Sequence, residues 1–113
     1  MMVKKGSIYK VKLTTQHGSH LQGGERPVLV VSGNQKNKGN IINVVPLTTR
    51  IKREDLYTHI VVDGYGLPKK SMTLCELTVP IDKHYLKSEN YIGLVTDQNL
   101  LDRITTANQM QFV

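Results

Sequence analysis

From residue 7 to residue 79 the chain is a run of short apolar or alternating blocks, separated by segments rich in Gly, Pro, Asn or Asp. Blocks of this length with period-2 alternation or β-branched content read as strands, and the segments between them as turns. "SIYKVKL" (7–13) puts Ile8, Lys10 and Lys12 on one face and Tyr9, Val11 and Leu13 on the other. "PVLVV" (27–31) does not alternate, as expected of a fully buried strand, with Pro27 at its start where a missing N–H costs least. "IINVVPLTT" (41–49) is another strand, whose Pro46 indicates an edge or a bulge. "THIVV" (58–62), closed by the turn "DGYG", and "SMTLCELTV" (71–79) complete the series, and "GNQKNKGN" (33–40) reads as a hairpin loop. Helical spacing occurs twice. "IDKHYL" (81–86) suits a single turn, while "TDQNLLDRITTANQM" (96–110) carries Leu100, Leu101, Ile104 and Ala107 on one stripe behind Thr96 or Asp97 as N-cap. The expected fold is mainly β: five to seven short strands curled into a small barrel-like sheet, with a C-terminal helix packed on it. With 113 residues, no repeat and no linker, residues 1–113 are expected to form one domain.

Composition narrows the function classes. Cys75 is the only cysteine, so no intrachain disulfide framework is available. "MMVKKGSIYK" has no apolar run behind its charges and no stretch reaches membrane-spanning length, so a cytoplasmic address without membrane association is expected. Net charge is +6, and its distribution is uneven. Residues 1–53 hold ten Lys and Arg against Glu25 alone, a balance of +9, whereas residues 54–113 hold five against eight acids, a balance of −3. A nucleic-acid footprint is therefore expected on the first half. The same charge also suits a basic protein whose lysines only keep it dispersed.

Several chemistries find no support. One cysteine and the scattered His17, His20, His59 and His84 do not match zinc spacing, and no metal or cofactor is expected. "GSHLQGGERP" lacks the Lys-Ser/Thr and the following helix of a phosphate loop. With no Trp and a single Phe, a broad stacking platform for bases is not expected. Groups suited to metal-free phosphodiester chemistry collect at two strand edges, His20 and Arg26 at one, Thr48, Thr49 and Arg50 at the other. RNA carries its own nucleophile in the 2′-OH, so cleavage needs only phosphate binding, proton movement and charge stabilisation. Arg26 offers a planar fork of donors, and its position before Pro27 biases its backbone to extended geometry. Thr48 and Thr49 face opposite ways along a strand, so only one joins such a site. On spacing alone, a lone Arg before a strand is more often a solvated strand-end cation.

The motifs in order resemble the MazF/PemK family of toxin endoribonucleases. The opening "KKGSIYKVKL", the Gly-rich loop with Arg-Pro in "GSHLQGGERPVLVVS", and "NVVPLTTRI" carry the resemblance over the first half. "DGYGLPKKSMTLCELTVPID" and "IGLVTDQNLLDRITTANQ" extend it over nearly the whole chain. The resemblance implies a small SH3-like barrel, homodimeric and shared with the CcdB gyrase poisons. It implies metal-independent cleavage of single-stranded RNA to a 2′,3′-cyclic phosphate and a 5′-hydroxyl, and neutralisation by an acidic antitoxin. Carried over by position, Arg26 and Thr48 are the catalytic pair, and His20 is a candidate for proton transfer. Gln22, Gly23, Thr49, Arg50 and Glu76 fall at positions suited to RNA contact, and Lys52, Arg53, Lys69 and Lys70 are candidate phosphate contacts. The chain departs from the family pattern at Leu21, where many members are acidic, and at Leu77-Thr78-Val79-Pro80, where many carry Gln-x-Arg. Two other functions fit the same fold: a non-catalytic gyrase-directed toxin, and a homologue that only binds RNA or antitoxin.

Overall fold

The computed structural model describes residues 3–13 and 24–110. His20, Gln22 and Gly23, proposed from the sequence, lie outside the described residues, as do Leu21 and Phe112. Seven strands form one curled antiparallel sheet: β1 (Ser7–Leu13), β2 (Gly24–Val30), β3 (Ile41–Thr48), β4 (Val61–Val62), β5 (Ser71–Thr73), β6 (Val79–Asp82) and β7 (Tyr91–Leu94). Their order is β4-β5-β3-β2-β1-β7, with β6 also paired to β3. One helix, α1 (Gln98–Met110), follows. The sheet wraps as a half-barrel, the mainly β fold with a C-terminal helix expected from the sequence.

The uninterrupted apolar run of β2 is explained by burial on both faces. Leu29 and Val31 join Ile8, Val45 and Leu47 in one apolar cluster, onto which α1 lays Leu101, Ile104 and Ala107. Val28 and Val30 join Tyr9, Val11, Ile42 and Val44 in a second cluster on the other face, covered by Ile81 and Leu86. Each fully buried aliphatic side chain of this size contributes roughly 1.5–3 kcal/mol, so neither face can be made polar without a large loss. In β1, Ile8 enters the first cluster while Lys10 and Lys12 continue the same face into solvent.

Two of the strand prolines, Pro27 and Pro46, occupy places the sequence did not assign them. β2 begins at Gly24, so Pro27 is interior rather than first. It lies in the part of β2 that pairs with β1 alone, because pairing with β3 spans only Val28–Val30. Pro46 is neither at an edge nor in a bulge: it sits buried in the middle of β3. There the flanking ladder changes hands, β6 pairing with residues 41–44 and β5 with Leu47 and Thr48, so the absent N–H of Pro46 breaks no ladder bond on that side.

Two blocks read as continuous strands are broken. Of "THIVV" only Val61 and Val62 pair as strand, because the Ile60 N–H donates to the Thr73 hydroxyl at 3.0 Å instead of to a ladder carbonyl. "SMTLCELTV" divides into β5, a 3-10 turn at Cys75–Leu77, and β6. The sequence left Thr96 or Asp97 as the cap of α1; Asp97 Oδ1 accepts from the N–H groups of Asn99 (3.0 Å) and Leu100 (3.3 Å).

Candidate active site

Arg26 and Thr48 are brought to one face of the sheet by backbone register. The β2–β3 ladder pairs Val28 with Pro46, Leu29 with Val45 and Val30 with Val44. Extending it by two residues sets Arg26 opposite Thr48. On its other side Arg26 is paired with Val11 of β1. Since residues paired across a ladder share a face and alternate residues along a strand do too, Arg26 and Thr48 continue the face that holds Val11, Val28 and Val44. Both are half-buried, at the rim of the second apolar cluster. Thr49 lies past the end of β3 and is exposed.

Their hydrogen bonding leaves useful groups available. The Thr48 hydroxyl oxygen accepts from the Arg50 N–H at 3.2 Å, which fixes the hydroxyl and leaves its proton free to be donated. Glu25, the acid adjacent to Arg26, pairs instead with Lys10 at 3.4 Å. Among the described residues no carboxylate pairs with Arg26. A half-buried guanidinium beside a hydroxyl donor at a strand edge is suited to hold a phosphodiester.

The remaining sequence candidates divide. Arg50, Lys52, Lys69 and Lys70 are exposed. Arg53 is engaged locally, its Nε and Nη2 donating to Asp55 at 3.2 and 3.3 Å; this guanidinium holds the Asp55 carboxyl below its ordinary range. Glu76 is tied into the scaffold: its Oε2 accepts from the Thr58 hydroxyl (3.2 Å) and lies 2.9 Å from His59 Nε2. His59 entered the sequence reasoning only as an unmatched metal ligand. Its bond to Glu76 spans 17 residues, so no local pattern announces it.

The segment from Thr49 to Ile60 connects this edge to the rest of the sheet. A separate cavity of about 460 Å³ lies between it and α1, floored by Leu56, Ile60, Ala107 and Met110. Ile60 and Ala107 belong to the first apolar cluster, so this cavity is on the face away from Arg26 and Thr48. Among the described residues no three His, Cys, Asp or Glu come together as metal ligands. Among them, too, no helix is long and apolar enough to cross a membrane.

A curled antiparallel sheet with one C-terminal helix is the fold that the resemblance to the MazF type implied. A family profile described as PemK-like, MazF-like toxin of type II toxin-antitoxin system matches residues 4–109. The chain belongs to this family. It is 34% identical over 113 residues to endoribonuclease EndoA of Bacillus subtilis strain 168, covering 97% of this chain and 94% of that protein. Its fold matches MazF of Deinococcus radiodurans with a TM-score of 0.77 at 18% identity, covering 99% and 97% of the two chains. It also matches a mycobacterial endoribonuclease solved in complex with its cognate antitoxin, with a TM-score of 0.76 at 23% identity over 97% and 94%. The family and fold expected from the sequence are thereby met, and the endoribonuclease reading is favoured over the gyrase-directed one.

Proposed function

We propose that the chain is an endoribonuclease toxin that cuts single-stranded RNA at the Arg26–Thr48 edge, within a single domain spanning residues 1–113. The observation that supports the site is the β2–β3 register, whose extension sets half-buried Arg26 and Thr48 on one face, with the Thr48 hydroxyl held by the Arg50 N–H. In the reaction the 2′-oxygen bonds to the adjacent phosphorus as its proton leaves, and the bond from phosphorus to the 5′-oxygen breaks. The products are a 2′,3′-cyclic phosphate and a 5′-hydroxyl, whose oxygen takes up a proton. Arg26 stabilises the charge gathering on the equatorial oxygens, and Thr48 donates to the phosphate or orients the 2′-OH. His20, which precedes β2 in the sequence, is assigned to proton transfer, and Gln22 and Gly23 to RNA contact. Arg50, Lys52, Lys69 and Lys70 bind flanking phosphates, with a cost in salt sensitivity. All of these steps run on side-chain groups, so no metal is needed.

The protein works in the cytoplasm as a homodimer and is neutralised by an acidic antitoxin segment laid over the basic edge. Incubation with single-stranded RNA in EDTA tests the whole reading. The parent chain is expected to cut, leaving 5′-hydroxyl ends, while Arg26→Ala and Thr48→Ala fold but do not cut. Intact RNA at high enzyme concentration, with a folded parent chain, overturns it.

A further inference from the structure

His59 is buried apart from a small part of its ring, with side-chain exposure of 11%, and both ring nitrogens are used. Nδ1 lies 3.0 Å from the Lys52 carbonyl oxygen and Nε2 lies 2.9 Å from Glu76 Oε2. A carbonyl and a carboxylate only accept. A neutral imidazole carries one N–H and satisfies one of them, whereas the imidazolium donates to both.

The place of this ring gives the bonds a purpose. Lys52 lies in the segment that leaves Thr48, the segment that carries Arg50, and Glu76 lies on the 3-10 turn at Cys75–Leu77. We propose that His59 is a positioning residue for RNA binding: its imidazolium clasps the Thr49–Tyr57 segment to the Cys75–Leu77 turn and so holds Arg50 and Lys52 at the Arg26–Thr48 edge. This rests on the proposed active site. Loss of the ring proton breaks one of the two bonds, so the clasp loosens as pH rises.

Other charges around the ring are accounted for. Glu76 faces it from the 3-10 turn. Asp55 is further stabilised in its charged form by His59, but its carboxylate is already bonded to Arg53. Glu54, from the same segment, and Asp102 and Arg103, from α1, line the adjoining cavity. Among the described residues none of these hydrogen-bonds to the ring, so the clasp rests on Lys52 and Glu76. The Thr58 hydroxyl, which also donates to Glu76 Oε2, keeps that carboxylate oriented when the ring changes charge.

The test follows ring protonation and steady-state cleavage on the same protein. The ring proton is titrated by NMR, and KM and kcat for a single-stranded oligoribonucleotide are measured across the same pH series. KM is expected to rise with the NMR midpoint while kcat holds, and His59→Gln is expected to raise KM about tenfold and to flatten its pH profile. Glu76→Gln, which keeps the side-chain volume, is expected to raise KM in the same direction. Amide hydrogen exchange over residues 50–57 is expected to speed up in both variants. A KM that ignores the ring titration, a kcat loss without a KM change, or unchanged exchange in both variants overturns the proposal. If the parent chain does not cut RNA at all, the active-site reading fails. The exchange measurement, together with RNA affinity measured across the same titration, then still decides whether the clasp exists.

Discussion

Gly93 of β7 lies directly against the backbone of Tyr65, so closely that a Cβ added to Gly93 would overlap the Tyr65 carbonyl oxygen. Tyr65 itself adopts a left-handed backbone, with φ of 55°. The next residue, Gly66, meets the Ile92 carbonyl in the same manner. The turn after β4 and the strand β7 stand at opposite ends of the strand order, so this contact is where the curled sheet comes back on itself. Gly93→Ala is therefore expected to force the turn away and to destabilise the fold by roughly 1–3 kcal/mol. Urea unfolding reads this as a lower midpoint at an unchanged slope.

The Arg26 guanidinium is given its role by shape as well as charge. Arg26→Lys keeps the charge but loses the planar fork, and RNA cleavage is expected to drop on the order of 100-fold. Thermal unfolding is expected to stay close to that of the parent, because the side chain has no carboxylate partner among the described residues. A Lys variant that cuts at the parental rate would remove the fork from the mechanism.

The start of α1 depends on Asp97, whose carboxylate accepts from two backbone N–H groups. Asp97→Ala is expected to cost about 1 kcal/mol, read as a lowered melting temperature, while Asp97→Asn recovers most of it. Thr96→Ala is expected to change little, since Thr96 is exposed and the cap bonds come from Asp97.

Cys75 is fully buried in the first apolar cluster, and burial pushes its thiol above the ordinary range. The thiolate is the reactive form. The native protein at neutral pH is expected to resist iodoacetamide, with labelling only at the rate of unfolding. Rapid labelling in native buffer would contradict the packing around Cys75.

Tyr9 is buried in the second cluster with its ring edge-on to Tyr91, the centroids 5.4 Å apart. Burial first, and the neighbouring Tyr91 second, raise its hydroxyl above the ordinary value of 10.0. The folded value exceeds the unfolded one, so the neutral phenol is favoured in the fold. This contribution to stability is full below pH 10 and is lost as pH rises through the folded value. Unfolding midpoints are expected to fall in that alkaline window. Tyr91→Phe is expected to bring the Tyr9 absorbance titration down toward the ordinary value.

Much of this was legible from local pattern. The stripe of Leu101, Ile104 and Ala107 marked α1, and the unbroken run at Val28–Val31 marked a strand covered twice. Local pattern failed where distant groups decided the backbone. Nothing near Leu74 reveals that its N–H donates to the Pro46 carbonyl, at the point where β5 ends and "SMTLCELTV" divides. The candidate site shows the same division. Arg26 and Thr48 were each conspicuous at a strand edge, but their shared face follows from the β2–β3 register, a long-range fact. The clasp of His59 on Glu76 left no signal at all, because 17 residues separate its members.

Pro46 also bears on which alignments of β6 are open to the chain. A β strand can pair one or two residues out of step, and a one-residue slip of β6 along β3 would turn Ile81 away from the second cluster. β6 is held to residues 41–44, and two residues beyond lies a proline with no N–H to offer. A misaligned β6 that creeps along β3 therefore loses a bond where it needs one, and the correct alignment is the one that stops short. The residue that parts the two ladders thus leaves β6 no N–H to reach beyond Val44.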